Sequence, residues 1–300
     1  MKLDYSWRSL FKPGDAINYF NLSNPVPFLA NTHNFNIFNA WWLAEISRLI
    51  YHNNFFNDEN IQLGCFNFEI IGYIENKNTS THVAILKVIQ DKPCLVIVFR
   101  GTDEVDDWNI NLHAYQSSFD SRGKVHSGFK KAYLSIKDEL HEYLNQCSLP
   151  LFITGHSLGA ALATLATSEL QSNENLDSCY TFGSPRTGNK VFVDSIKCKQ
   201  IYRVVNNCDV VTTVPINFAG IEYKHIGSPY LIDDKGVLLE GMSEDEIYSY
   251  QKSKLEDLKE YALSKVFNNE IKSIKDDLPH FLASHSPINY VAILQNLMQA

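Results

Sequence analysis

Residues 151–166 read LFITGHSLGAALATLA, which sets the pentapeptide Gly155-His156-Ser157-Leu158-Gly159 between an apolar run and a stretch rich in alanine and leucine. A serine hydroxyl is a poor nucleophile on its own. It needs exposure, a neighbouring base, and hydrogen-bond donors placed where a negatively charged oxygen will form. A G-x-S-x-G turn between strand and helix supplies the first and part of the third. The bend lifts the serine above the sheet edge, and the flanking glycines carry no Cβ to collide with adjacent chain. The helix that follows directs its free N–H groups and positive dipole end at the reacting centre.

If a His–acid pair activates Ser157 on such an elbow, the chain order is serine, then acid, then histidine. Asp177 precedes its strand and Asp194 lies in the helix-like FVDSIK. Asp209 follows the strand-like IYRVV, in the loop NNCDVVTTVP, where a carboxylate reaches the same end of the sheet as the serine. Downstream histidines are His225, His280 and His285. His225 sits in a strand-like run and His280 follows Pro279. His285, in LASHSPINY, stands in a loop ahead of a final helix. Position favours His285 over His280 without deciding between them.

The elements needed to hold such a site are legible. Asn39 is a candidate N-cap for the amphipathic stretch AWWLAEISRLIYH. FEIIGYI (68–74) and HVAILKVI (82–89) predict an antiparallel hairpin, and CLVIVF (94–99) a strand buried on both faces. GFKKAYLSIKDELHEYLNQC (128–147) predicts a helix; SCYTFG (178–183) and QIYRVVN (200–206) predict further core strands. Strands alternating with helices imply a largely parallel sheet covered on both sides, with its site outside the strands' carboxyl ends. Residues 1–36 look like an irregular segment wrapping the core. Residues 232–284 break the pattern. There Ser243 and Glu246 form a capping box before a long helical stretch carrying Ile247, Tyr250, Lys254 and Leu258 on one side. The acidic charges of that stretch favour a packed insertion or cap over a membrane-surface helix.

Three hundred residues with a net charge of −8 and no lysine/arginine cluster argue against nucleic acid as a partner. No apolar run approaches the roughly 20 residues that cross a bilayer. The six cysteines show neither C-x-x-C nor metal-ligand spacing, so no metal is expected and the thiols read as reduced. Together with an N-terminus that lacks a signal-peptide core, this makes a cytoplasmic setting the default expectation, with export only by a route that uses no cleaved leader.

Several ordered segments resemble the fungal-type class 3 lipases, members of the α/β-hydrolase superfamily. They are NAWWLAE (39–45), VIVFRGT (96–102), VHSGFKKAY (125–133), ITGHSLGAALA (153–163), TFGSPRTGN (181–189), YRVVNNCDVVTTVP (202–215) and HSPINY (285–290). The resemblance implies a single α/β-hydrolase domain over 1–300, with a largely parallel central sheet, helices on both faces, a lid helix, and an extra helical insertion at 232–284. It implies Ser157 as nucleophile, Asp209 as acid and His285 as base. Thr102 and the N–H of Leu158 would form the oxyanion hole. His156 and His126 read as structural. The family's lid would fall at 103–112, where Val105, Trp108 and Leu112 make an apolar stripe. The activity implied is hydrolysis of lipid esters, at a lipid–water interface and without cofactor. A phospholipase A1 or a small-ester esterase would use the same machinery. A degenerate, non-enzymatic binding module would lack one of these residues, and every position is filled.

Overall fold

The computed structural model describes residues 1–15, 18–22, 26–30, 32, 34–52, 68–101, 115–145, 147–198, 200–218, 220–267 and 278–299, the side chains of 257–267 excepted. Its strands are β1 (Phe68–Asn76), β2 (Thr81–Val88), β3 (Cys94–Phe99), β4 (Gln116–Ser118), β5 (Lys124–His126), β6 (Leu151–His156), β7 (Leu176–Phe182), β8 (Ile201–Asn206), β9 (Ser228–Ile232) and β10 (Leu238–Glu240). Eight of them form one sheet in the order β1-β2-β3-β6-β7-β8-β9-β10, while β4 and β5 make a separate ribbon. The pairs from β3 through β9 are parallel; β1–β2, β2–β3 and β9–β10 are antiparallel.

Burial follows the pleat. In β3, Val96 and Val98 join an aromatic-rich layer with Trp41, Trp42, Phe152 and Tyr180. Leu95, Ile97 and Phe99 face the opposite layer, with Ile153, Cys179 and the helix Leu158–Leu170. Helices Ile37–Leu49 and Pro287–Gln299 contribute to the first layer. Helices Ser127–Leu134 and Lys137–Leu144 lie in the second. This is the largely parallel sheet covered on both sides that the alternation of strands and helices implies, and the α/β-hydrolase arrangement that the resemblance implies.

Local details differ from the sequence expectations. The N-cap of helix Ile37–Leu49 is Asn36, whose side chain accepts from the N–H groups of Phe38 and Asn39. Asn39 is instead buried one turn in, bonded through Oδ1 and Nδ2 to the backbone of Leu29, so it pins the N-terminal segment to the helix. That segment has a short helix of its own, Trp7–Phe11, and buries Tyr19, Phe20 and Phe28 in the core. The stretch 128–147 is two helices, broken at Ser135–Ile136 where the Ile136 side chain turns into the core. The region after 232 is not helical throughout: β10 first extends the sheet by pairing with β9. Ser243 and Glu246 then form the reciprocal capping box, at 2.8 Å and 3.3 Å, that starts the helix Glu244–Phe267.

Candidate active site

Ser157 sits between β6 and helix Leu158–Leu170 with φ 58° and ψ −126°, a strained backbone for a residue with a Cβ. The tightness of the bend explains its glycines. A Cβ on Gly155 would overlap the backbone of Gly159, and one on Gly159 would overlap the carbonyl of Phe99 in β3. The Ser157 N–H donates to Phe182 O at 3.0 Å, tying the elbow to the end of β7. Leu158 is the first helical residue, so its N–H is one of the donors a helix leaves free at its start.

Asp209 follows β8 and caps the 3-10 turn Val210–Thr213, its Oδ1 accepting from Val211 N at 2.9 Å. His285 lies between the short helix His280–Ala283 and the last helix, Pro287–Gln299. The structure brings the three side chains together. Ser157 Oγ is 2.9 Å from His285 Nε2, and His285 Nδ1 is 2.9 Å from each Asp209 oxygen. Since an ionised carboxylate only accepts, Nδ1 carries the proton and Nε2 presents its lone pair to the serine hydroxyl. Asp209 and His285 are fully buried and Ser157 is 6% exposed. Gly183, at φ +59°, leaves the space in which the Asp209–His285 pair meets.

Two neighbours hold this line in place. Tyr290 OH donates to Asp209 Oδ2 at 2.7 Å and accepts from Asn206 N at 3.1 Å. Burial, and then the carboxylate beside it, push its phenol well above the usual tyrosine range, so it remains a donor. His156 Nε2 donates to the carbonyl of His285 at 2.7 Å, and its Nδ1 accepts from Tyr51 OH at 3.0 Å. Burial, reinforced by nearby His285, holds His156 far below the usual imidazole range. It is a neutral strut rather than a second base. Gly101, the last described residue before 102–114, packs on the same Tyr51 hydroxyl and on the His156 carbonyl.

The other candidates lie apart. His280 is exposed, edge-on to Tyr5. His225 Nε2 donates to Thr212 O at 2.7 Å, and burial with Arg203 and Arg186 nearby depresses its pKa. His126 caps its helix by accepting from Phe129 N at 3.4 Å. Asp194 pairs with Lys190 on the surface. Thr102 and the lid residues Val105, Trp108 and Leu112 lie outside the described residues. Tyr290 was inside a motif that drew attention only to its histidine. Tyr51 and Gln251, discussed below, carried no signal beyond falling on helix-like stretches.

The family model described as Lipase (class 3) matches residues 96–219, the span from β3 through the elbow to the acid loop. A lipase of Rhizomucor miehei is 34% identical over 154 residues, covering 47% of this chain and 42% of that protein. A secreted mono- and diacylglycerol lipase of Fusarium solani is 31% identical over 148 residues, covering 46% and 44%. The solved structure of lipase II from Rhizopus niveus superposes with a TM-score of 0.56 at 26% identity, covering 66% of this chain and 81% of that one. The chain thus spans less than half the length of the curated relatives it matches. Over residues 96–219 the chain is thus similar to the class 3 lipases, and its fold is similar to that of a fungal lipase.

The cytoplasmic setting expected from the sequence does not stand, because the Fusarium solani relative and others like it are named as secreted lipases. The thiols misled for a physical reason. Cys94 and Cys179 are fully buried in strands, and burial pushes both up to about 12, so they are inert hydrophobes whatever the redox compartment. Among the described residues, no helix is long and apolar enough to cross a membrane.

Proposed function

We propose that this chain hydrolyses carboxylic esters of lipids through an acyl-enzyme on Ser157. The observation that carries the reading is the continuous hydrogen-bonded line from Ser157 Oγ through His285 to Asp209. As Oγ attacks the ester carbonyl, His285 Nε2 takes its proton, and the imidazolium is stabilised by the carboxylate at Nδ1. The tetrahedral oxyanion forms at the start of helix Leu158–Leu170, where the Leu158 N–H and Thr102 donate to it. Collapse expels the alcohol, protonated by His285. Water, deprotonated by the same histidine, then attacks the acyl-enzyme and frees the acid.

On this reading residues 1–300 act as one hydrolase unit, with 1–36 wrapping it and 232–284 as the insertion. A lipid ester is the substrate class supported by the relatives named as lipases, and the apolar stripe at 103–112 is the lid over it, opening at a lipid–water interface.

Ser157→Ala tests the reading. Turnover of emulsified mono- and triacylglycerol is expected to fall on the order of 10⁵–10⁶-fold while circular dichroism stays unchanged. A fluorophosphonate probe labels the wild type and not the variant. Substantial hydrolysis by Ser157→Ala would overturn the assignment. A panel of acylglycerols, a phospholipid and a short soluble ester, below and above micelle formation, reads the headgroup class and lid behaviour. Acylglycerol turnover that rises above the micelle threshold is the expected result.

A further inference from the structure

The stretch that departs most from the family pattern meets the protein behind the acid. Helix Glu244–Phe267 uses one face at i, i+3, i+6/i+7 and i+10 spacing. Glu244 ion-pairs with the buried Arg203 of β8. Ile247 packs on Val205 and Leu231. Tyr250 OH donates to Asn207 Oδ1 at 3.0 Å, and Lys254 pairs with Asp234 at 2.7 Å. At the centre of this face is Gln251, a polar side chain only 2% exposed.

The Gln251 amide reaches three acceptors: Thr212 Oγ1 at 2.8 Å, Asn207 O at 3.2 Å and Asp209 O at 3.3 Å. Its two hydrogens therefore serve three acceptors, one of them shared. Thr212 spends its own hydroxyl hydrogen on Asp209 O at 2.8 Å, so Gln251 reaches the acid both directly and through Thr212. Packing alone would be served by leucine or methionine at this site. What only an amide supplies is donors that fix the carbonyls on either side of Cys208 and so set the direction in which the Asp209 carboxylate leaves the chain.

We propose that helix Glu244–Phe267 is a clamp on the acid loop, and that Gln251 is a positioning residue for Asp209. This rests on the Ser157–His285–Asp209 reading above. Gln251→Met keeps the bulk and removes the donors. Because 1 Å of misplacement reaches a hundredfold in rate, kcat is expected to fall on the order of tenfold to a hundredfold. KM should stay within about twofold, since nothing that binds substrate has changed. Rates are taken per active site titrated with fluorophosphonate, so an unfolded fraction does not count. The control Lys252→Ala, on an exposed face of the same helix, keeps wild-type kcat. Adding Thr212→Val to Gln251→Met lowers kcat by less than the product of the single losses, because both act on one carbonyl.

Unchanged kcat per titrated site in Gln251→Met, with only the melting temperature lowered, overturns the clamp and leaves the triad reading intact. A raised KM with kcat unchanged also overturns it, making the helix part of the substrate pocket. If instead Ser157→Ala retains turnover, the triad reading itself fails.

Discussion

At the scale of single residues, the acid is the most heavily supported member of the site. Asp209 accepts from His285, from Val211 N and from Tyr290 OH, which leaves its buried carboxylate well satisfied. Tyr290 also accepts from Asn206 N, so removing its hydroxyl strands a buried donor and loses one partner of a buried anion. Tyr290→Phe is therefore expected to lose about 1–3 kcal/mol in a urea melt. Its kcat should fall while KM is kept, measured on a soluble ester; an unchanged kcat would mean that His285 and Val211 alone orient the acid. The type and order of Ser157, Asp209 and His285 were readable along the chain. The partners that hold them were not, because Tyr290 and Gln251 come from helices far along the chain from Asp209, Tyr51 lies just past helix Ile37–Leu49, and all three are ordinary residues until the fold brings their polar atoms to the site.

At the scale of elements, the elbow shows why a short motif was so informative. Its glycines are needed by backbone that cannot give way, the Gly159 carbonyl region on one side and the Phe99 carbonyl of β3 on the other. Gly159→Ala is expected to separate helix Leu158–Leu170 from β3. The expected loss is about 1–3 kcal/mol or more of stability, as for overpacking elsewhere, together with most of the ester turnover. A melt and a fluorophosphonate labelling rate check both, and wild-type labelling in this variant would mean the elbow tolerates the shift. Element boundaries were less legible. The helix start moved from Asn39 to Asn36 because both are good caps, and only the position of Leu29 gave Asn39 another task. Likewise β10 followed from the edge that β9 offers, a partner that periodicity does not reveal.

For the molecule as a whole, two neutral histidines, His156 buried and His225 half-buried, make stability depend on pH. His156 is depressed by burial and then by His285, and His225 by burial and then by Arg203 and Arg186. Both lie well below the ordinary value of 6.5, so the unfolded chain binds protons that the folded one refuses. Stability is complete above that value and declines as pH falls below it toward the folded-state values. The slope is up to about 1.4 kcal/mol per pH unit for each histidine. Melts at pH 7.5 and pH 5 are expected to differ accordingly, and His225→Gln should flatten the slope. An identical slope in that variant would assign the acid sensitivity elsewhere.

The sequence by itself determined the candidate triad and the class of fold. An exposed serine needs a tight glycine-flanked bend, a buried parallel strand needs a continuous apolar run, and both are local requirements written in adjacent residues. It also determined which carboxylate lies past the end of a core strand. Position along the chain left His280 and His285 open and the resemblance chose His285; the tertiary structure supplied the reason, since His285 Nε2 faces Ser157 while His280 is exposed. It alone showed what the insertion touches, because two of the three partners of Gln251 are backbone carbonyls, and backbone has no signature in the sequence.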